Sequence, residues 1–181
     1  MYRICLTGHR PKDLAQYMPE GASPYDLHNA FWMASIREFL RVVSSQLSAH
    51  PEGLELHSGM ALGADTAWAG AIVVARNRFG SDKIRFVADV PLPTQANRWP
   101  KRSQQIWHRL IDLADEVVYT SQGPYKPSVM EARNQQMILP SDLCIAFWDG
   151  KPYGGTFNGV QDAKKSPKTT LLRINPADIR F

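Results

Sequence analysis

The chain has 181 residues, 44% hydrophobic, 21% charged and 10% aromatic, a balance that excludes the disordered and fibrous classes and suits one domain around one core. Its formal charge of +4 favours anionic ligands without choosing among nucleotide, nucleic acid and acidic metabolite. No stretch approaches the ~18 apolar residues of a membrane span, and MYRICLTGHRP opens as strand and turn rather than as a charged leader, so a cytoplasmic protein is expected.

Apolar, β-rich runs alternate with longer segments of helical period, the pattern of an α/β domain with a mostly parallel sheet. The first strand spans Tyr2–Thr7 and is followed by an irregular flap, Arg10–Pro24, punctuated by Pro11, Pro19, Gly21 and Pro24. A helix over 28–49 repeats Phe31, Ile36, Phe39, Leu40, Val43 and Leu47 at a spacing near three and four, which gives it one apolar face. Strand two is Leu54–Ser58, and an alanine-rich helix follows over 61–79. Strand three, Ile84–Pro91, leads through the lip Pro91–Trp99 into a helix over 99–114. Strand four, Glu116–Thr120, precedes a loop with Pro124 and Pro127 and a helix over 127–139. Strand five, Leu143–Trp148, a helix over 155–165 and strand six, Thr170–Ile174, complete the chain. Most strands are continuously apolar, as strands buried on both faces are. Cys5 and Cys144 each sit inside such a run and read as reduced core thiols.

In open parallel sheets, ligands bind beyond the carboxyl ends of the strands, where loops feed helix N-termini. Three loops fit that place. The first, Thr7-Gly8-His9-Arg10-Pro11, offers a hydroxyl, a glycine and a guanidinium able to grip phosphate bidentately. The second runs from His57 and Ser58 through Gly59, Met60 and Gly63 to Asp65; its glycines allow close backbone approach to an anion, and the helix dipole adds positive potential. Asp65 reads as a ribose-hydroxyl acceptor or as a first-turn partner of backbone amides. The third runs from Asp149 to Gly154, Gly155 and Thr156, where a threonine follows two glycines at a helix start, either presenting amides and a hydroxyl to an oxyanion or simply capping the helix. Between the last two loops, Arg133 and Asn134 lie on a helix that brings them toward the same cleft, with Met130, Met137 and Ile138 turned inward.

The five histidines are dispersed and neither CxxC nor HExxH occurs, so no metal or cofactor is expected. GxSxG, GxxxxGK[ST] and GxGxxG are also missing, which removes the usual support for hydrolase, P-loop kinase and dinucleotide oxidoreductase readings.

TGHRP, SGMALGADTAWA, MEARNQQMILPSD and the later GGT occur in the order shown by the SLOG superfamily of nucleotide-binding proteins, and the chain resembles its YpsA-like members over nearly its whole length. That resemblance implies a Rossmann-like three-layer sandwich and, since relatives often form oligomers, a homodimer. SGMALGADTAWA is also similar to the SGxAxGID motif of the DprA-like DNA-processing proteins, which implies single-stranded nucleic acid as an alternative partner, with Trp99, Trp107 and Tyr125 stacking on bases.

MEARN followed by YGGTFNG resembles the MxxRK and PGGxGTxxE pattern of the LOG-type phosphoribohydrolases, which cleave the N-glycosidic bond of nucleoside monophosphates. Arg133 falls on that family's arginine, but its glutamate falls on Gly159, and the glycine loop is shortened. Such hydrolysis needs a positioned carboxylate. Asp65, Glu131 and Asp162 are the nearby acids, and Asp65 and Glu131 are the catalytic candidates on this reading. The leading expectation is a binding protein, sensor or carrier, that holds a nucleotide or nucleotide-derived phosphate through Thr7, Gly8, Arg10, Ser58, Gly59, Met60, Gly63, Asp65, Trp99, Arg133, Asn134, Gly154, Gly155 and Thr156.

Overall fold

In a computed structural model that describes residues 1–181, the six apolar runs are the strands of one sheet: β1 (Tyr2–Gly8), β2 (Leu54–Ser58), β3 (Ile84–Val90), β4 (Glu116–Tyr119), β5 (Leu143–Phe147) and β6 (Thr170–Ile174). Their order is β4-β3-β2-β1-β5-β6. Every neighbouring pair is parallel, with Cys5 opposite both His57 and Cys144. The helices are α1 (Pro11–Leu14), α2 (Ala30–Ala49), α3 (Ala64–Phe79), α4 (Lys101–Leu113), α5 (Pro127–Ile138) and α6 (Gly155–Lys165).

Successive strand side chains point to opposite faces, and this alternation builds two unequal cores. On one face Leu6, Leu56, Phe86 and Phe147 pack with Phe31 and Phe39 of α2 and Trp68 of α3 in a cluster of 27 buried residues. Ala64, Ala67, Ala71 and Ala75 of α3 are fully buried there, small side chains that let the helix lie close to the strands. Trp68 buries its ring and donates its indole N–H to the His57 carbonyl at 2.8 Å, so the polar end of the side chain is satisfied. On the other face Cys5 and Cys144 pack with Met137 and Ile138 of α5 and Ala163 of α6. Helices on both faces of a parallel sheet give the expected three layers, and both cysteines are buried free thiols.

Several local expectations change. β4 and β6 are edge strands only partly buried, and the second face of the sheet from β2 to β4 carries charge, with Arg85 3.7 Å from Glu55 and 2.5 Å from Glu116. Continuous apolar burial therefore belongs to β5 and the middle of β1. α2 begins at Ala30 because the Asn29 side chain accepts the Trp32 amide at 2.9 Å. The flap is not wholly irregular: it contains α1 and a 3-10 turn, Ala15–Tyr17, and Trp32 anchors it by donating to the Pro24 carbonyl at 3.0 Å. Trp107 is 3% exposed and donates to Gln95, so it is a core residue and not a platform for bases.

Strand order locates the functional end of the sheet. The chain runs outward from β1 through β2 and β3 to β4, then returns to place β5 on the other side of β1. β1 leads to α2 on one face while β5 leads to α6 on the other. Loops that diverge from neighbouring parallel strands leave a crevice between their carboxyl ends.

Candidate functional site

The crevice between β1 and β5 is closed at its base by the His9 amide, which donates to the Phe147 carbonyl at 3.3 Å. Above it, His9 Nε2 lies 2.8 Å from Asp149 Oδ1, and the Tyr17 hydroxyl donates to Asp149 Oδ2 at 3.1 Å. The Lys151 amide donates to the same carboxylate at 3.1 Å. Burial pushes the Asp149 carboxyl upward, but the hydrogen bonds from Lys151, His9 and Tyr17 outweigh it and hold the group at about 2. This carboxylate therefore ties the β1 loop, the 3-10 turn and the β5 loop together.

A carboxyl held at about 2 against an ordinary 3.8 contributes about 2 kcal/mol of stability. That contribution is complete above the unfolded value near 3.8 and disappears as pH falls through about 2. Asp149→Asn should therefore cost about 2 kcal/mol at pH 7, with the difference from wild type shrinking below pH 4. Urea unfolding across that range measures it, and a deficit independent of pH would show that the carboxylate charge is not the cause.

A cavity of about 150 Å³ opens beside this clamp. Arg133, 3% exposed, reaches it from α5. Its Nη1 donates to the Gly59 carbonyl and lies 3.5 Å from Asp65 Oδ2, while its buried Nε has no hydrogen-bond partner. Asp65 is 6% exposed and also accepts the Ala61 amide at 3.3 Å. Burial raises the Asp65 carboxyl above its usual range against the charges of Arg133 and Arg10, and burial lowers Arg133 against the charge of Asp65. Desolvation thus outweighs the attraction within the pair, the usual outcome for a dry ion pair with incomplete hydrogen bonding.

The predicted site residues divide into three groups. Thr7, Gly8, Arg10, Asp65, Arg133, Asn134, Gly154, Gly155 and Thr156 all line this one cavity. Ser58, Gly59, Met60 and Gly63 do not. The Ser58 hydroxyl donates to the Asp65 carbonyl and accepts the Met60 amide, while Asp65 takes the Ala61 amide and the His9 carbonyl takes that of Ala64. The Met60, Ala61 and Ala64 amides are thus taken by the protein itself, and the loop acts as the wall that seats Arg133. Gly63, with φ +97°, presses against the His9 carbonyl instead of facing a ligand.

The third group lies elsewhere. Trp99 lines a second cavity of about 650 Å³ together with Met130, which does not turn into the core. Glu131 is exposed and Asp162 half-buried, and neither lines the first cavity. Gly159 is closed to any side chain, since a Cβ there would come within 2.7 Å of Thr7 Oγ1 and 3.1 Å of Ile138. A glutamate cannot stand at that position without moving β1 from α6. Thr156 is no cap either: Gly154, φ +91°, precedes α6, and Thr156 lies in the first turn.

His9, Asp13, Lys151 and Tyr153 also line the cavity, and Asp149 orders its rim, yet none was singled out from sequence. The available signal was that His9 stands within TGHRP and Asp149 opens the loop before GGT. No three His, Cys, Asp or Glu side chains gather as metal ligands.

Known proteins agree with this architecture. Over 162 residues the chain is 26% identical to the uncharacterized SPbeta prophage-derived protein YoqJ of Bacillus subtilis, an alignment covering 82% of this chain and 92% of YoqJ. It is 24% identical over 181 residues to UPF0398 protein BH1768 of Halalkalibacterium halodurans, covering 98% and 86% of the two chains. Its fold is similar to that of DNA processing protein A from Helicobacter pylori, whose structure describes a single-stranded DNA binding mode, with TM-score 0.57 and 17% identity. That likeness covers 95% of this chain but 64% of the other, so the chain spans somewhat under two thirds of that protein. The model of the YspA SLOG family (YpsA) matches residues 4–179, and the chain belongs to that family.

Proposed function

We propose that the crevice between β1 and β5 binds the phosphoribosyl part of a nucleotide. One observation carries the reading: a buried guanidinium, Arg133, lines the cavity with its Nε unpartnered. A buried unmatched donor costs roughly 1–3 kcal/mol, and a phosphate that draws the guanidinium toward the cavity removes that cost with a charge-assisted hydrogen bond. Gly154, Gly155 and Thr156 start the 11-residue helix α6 at the same cavity, so the positive end of its dipole adds to Arg133, Arg10 and Lys151. Asp13 and Asp65 bring carboxylates among these cations. They repel a bare anion but accept hydroxyl hydrogen bonds, and a sugar phosphate offers both groups.

Calorimetric titration with ribose 5-phosphate, a panel of nucleoside 5′-monophosphates and the matching nucleosides tests the reading. Phosphate-bearing ligands should bind at least about tenfold more tightly than nucleosides, the equivalent of one charge-assisted hydrogen bond. Equal affinity with and without phosphate would overturn it. A second reading, cleavage of the N-glycosidic bond, is favoured by one fact: Asp65 places a buried carboxyl in the cavity although Gly159 replaces the related glutamate. Release of free base from a monophosphate, lost in Asp65→Ala, would establish it.

A further inference from the structure

The second cavity begins where the first ends. Arg10 lines both, and α5 contributes Arg133 to one and Met130, a single turn earlier, to the other. The Gly59 carbonyl joins their walls, for it accepts from Arg133 on one side and from Gln95 Nε2, at 3.3 Å, on the other. Gln95 is itself fixed by the Trp107 indole, which donates to its Oε1 at 3.2 Å.

The two cavities differ in chemistry. The first mixes carboxylates with cations; the second contains Arg10 and Arg98 and no acid, alongside the rings of Trp99 and Tyr125. At about 650 Å³ it falls in the range of small-molecule sites. Tyr125 is 67% exposed and lines this cavity, so its ring is open to a ligand lying there. Thr94 and Asn97 set polar side chains on the same lining, able to address the edge of a planar ring.

We propose that this second cavity holds the heterocyclic base of the nucleotide whose phosphoribosyl part occupies the first, with the ring against Trp99 and Tyr125 and Arg10 at the seam. The inference rests on the reading given under Proposed function. It adds the direction of the ligand: phosphate toward Arg133 and α6, base toward the lip between β3 and α4. It also assigns Arg10 a bridging role, because it meets the ligand from both sides.

Ribose 5-phosphate and a nucleoside 5′-monophosphate separate the two ideas. If ribose 5-phosphate fails to bind, the phosphoribosyl reading itself falls. If it binds and the monophosphate gains nothing over it, the base subsite falls and the crevice reading stands. The expected result is a gain for the monophosphate, lost by about 5- to 100-fold in Tyr125→Ala and Trp99→Ala, with ribose 5-phosphate affinity unchanged. Tyr125 lies outside the core, so its variant folds even if Trp99→Ala does not. Trp99→Phe should keep affinity while abolishing the ligand-induced quenching of tryptophan fluorescence. Unchanged quenching, or binding of a single-stranded oligonucleotide through Trp99 and Tyr125 with no binding of mononucleotides, would overturn the proposal.

Discussion

Replacing Arg133 by methionine should abolish phosphate-dependent binding and lower stability by about 3–5 kcal/mol at neutral pH, the cost of leaving one member of a buried ion pair alone. The orphan is Asp65, a carboxyl that burial already pushes above its ordinary value of 3.8. Without Arg133 its folded value rises further. An acid whose folded value is raised binds its proton in the native state over the interval between the unfolded and folded values, so stability falls as pH climbs through that interval. The deficit of the single variant should therefore be small near pH 4 and largest at pH 7 and above. Arg133→Met combined with Asp65→Asn removes the uncompensated charge, and most of the lost stability should return while binding does not. Denaturant unfolding of the four proteins at both pH values reads the cycle. If the double variant is no more stable than Arg133→Met at pH 7, the two side chains do not interact as their 3.5 Å separation requires. Arg133→Lys keeps the charge but lacks the planar fork of donors, and it should still bind nucleotide at least about tenfold more weakly.

The distribution of what was legible follows from what periodicity encodes. β2, β6 and α6 stand where the apolar runs and helical spacing put them, since the pattern that marks each element is local. Helix starts were displaced wherever a cap decided them, as at Asn29 and Gly63. Arg133, Asp65 and Thr156, which the structure brings to one cavity, were legible as candidates because each lies in a block whose residue order is itself unusual. The clamp of His9, Tyr17 and Asp149 was not, for it depends on β1 and β5 being neighbours although about 140 positions separate them. Strand order is a property of the sheet and leaves no trace in local spacing. The same fact hid the pairing of Cys5 with Cys144. The Ser58–Gly63 loop shows a different limit: its glycines do mark close approach, but what approaches is the protein itself, the Arg133 guanidinium at Gly59 and the His9 carbonyl at Gly63. A sequence pattern records that space is needed and not what fills it.

That distinction can be measured at two glycines. A Cβ on Gly59 would overlap the Arg133 guanidinium and come within 2.7 Å of Asp65 Oδ2. Both neighbours are buried and tied to each other, so neither yields without breaking the pair. Gly59→Ala should therefore cost roughly 1–3 kcal/mol as an overpacked core substitution and weaken nucleotide binding at least about tenfold through displacement of Arg133. Gly155 is the opposite case. Nothing lies within 4 Å of a Cβ placed there, and the residue begins α6, where alanine is the better helix former. Gly155→Ala should leave stability unchanged or raise it by about 0.5–1 kcal/mol, yet weaken phosphate binding, because a methyl group would stand where an anion approaches the first amides of the helix. Thermal unfolding and titration with ribose 5-phosphate on both variants separate the roles. Gly59→Ala with wild-type stability would mean that Arg133 does not rest on that backbone, and Gly155→Ala with wild-type affinity would place the phosphate away from α6.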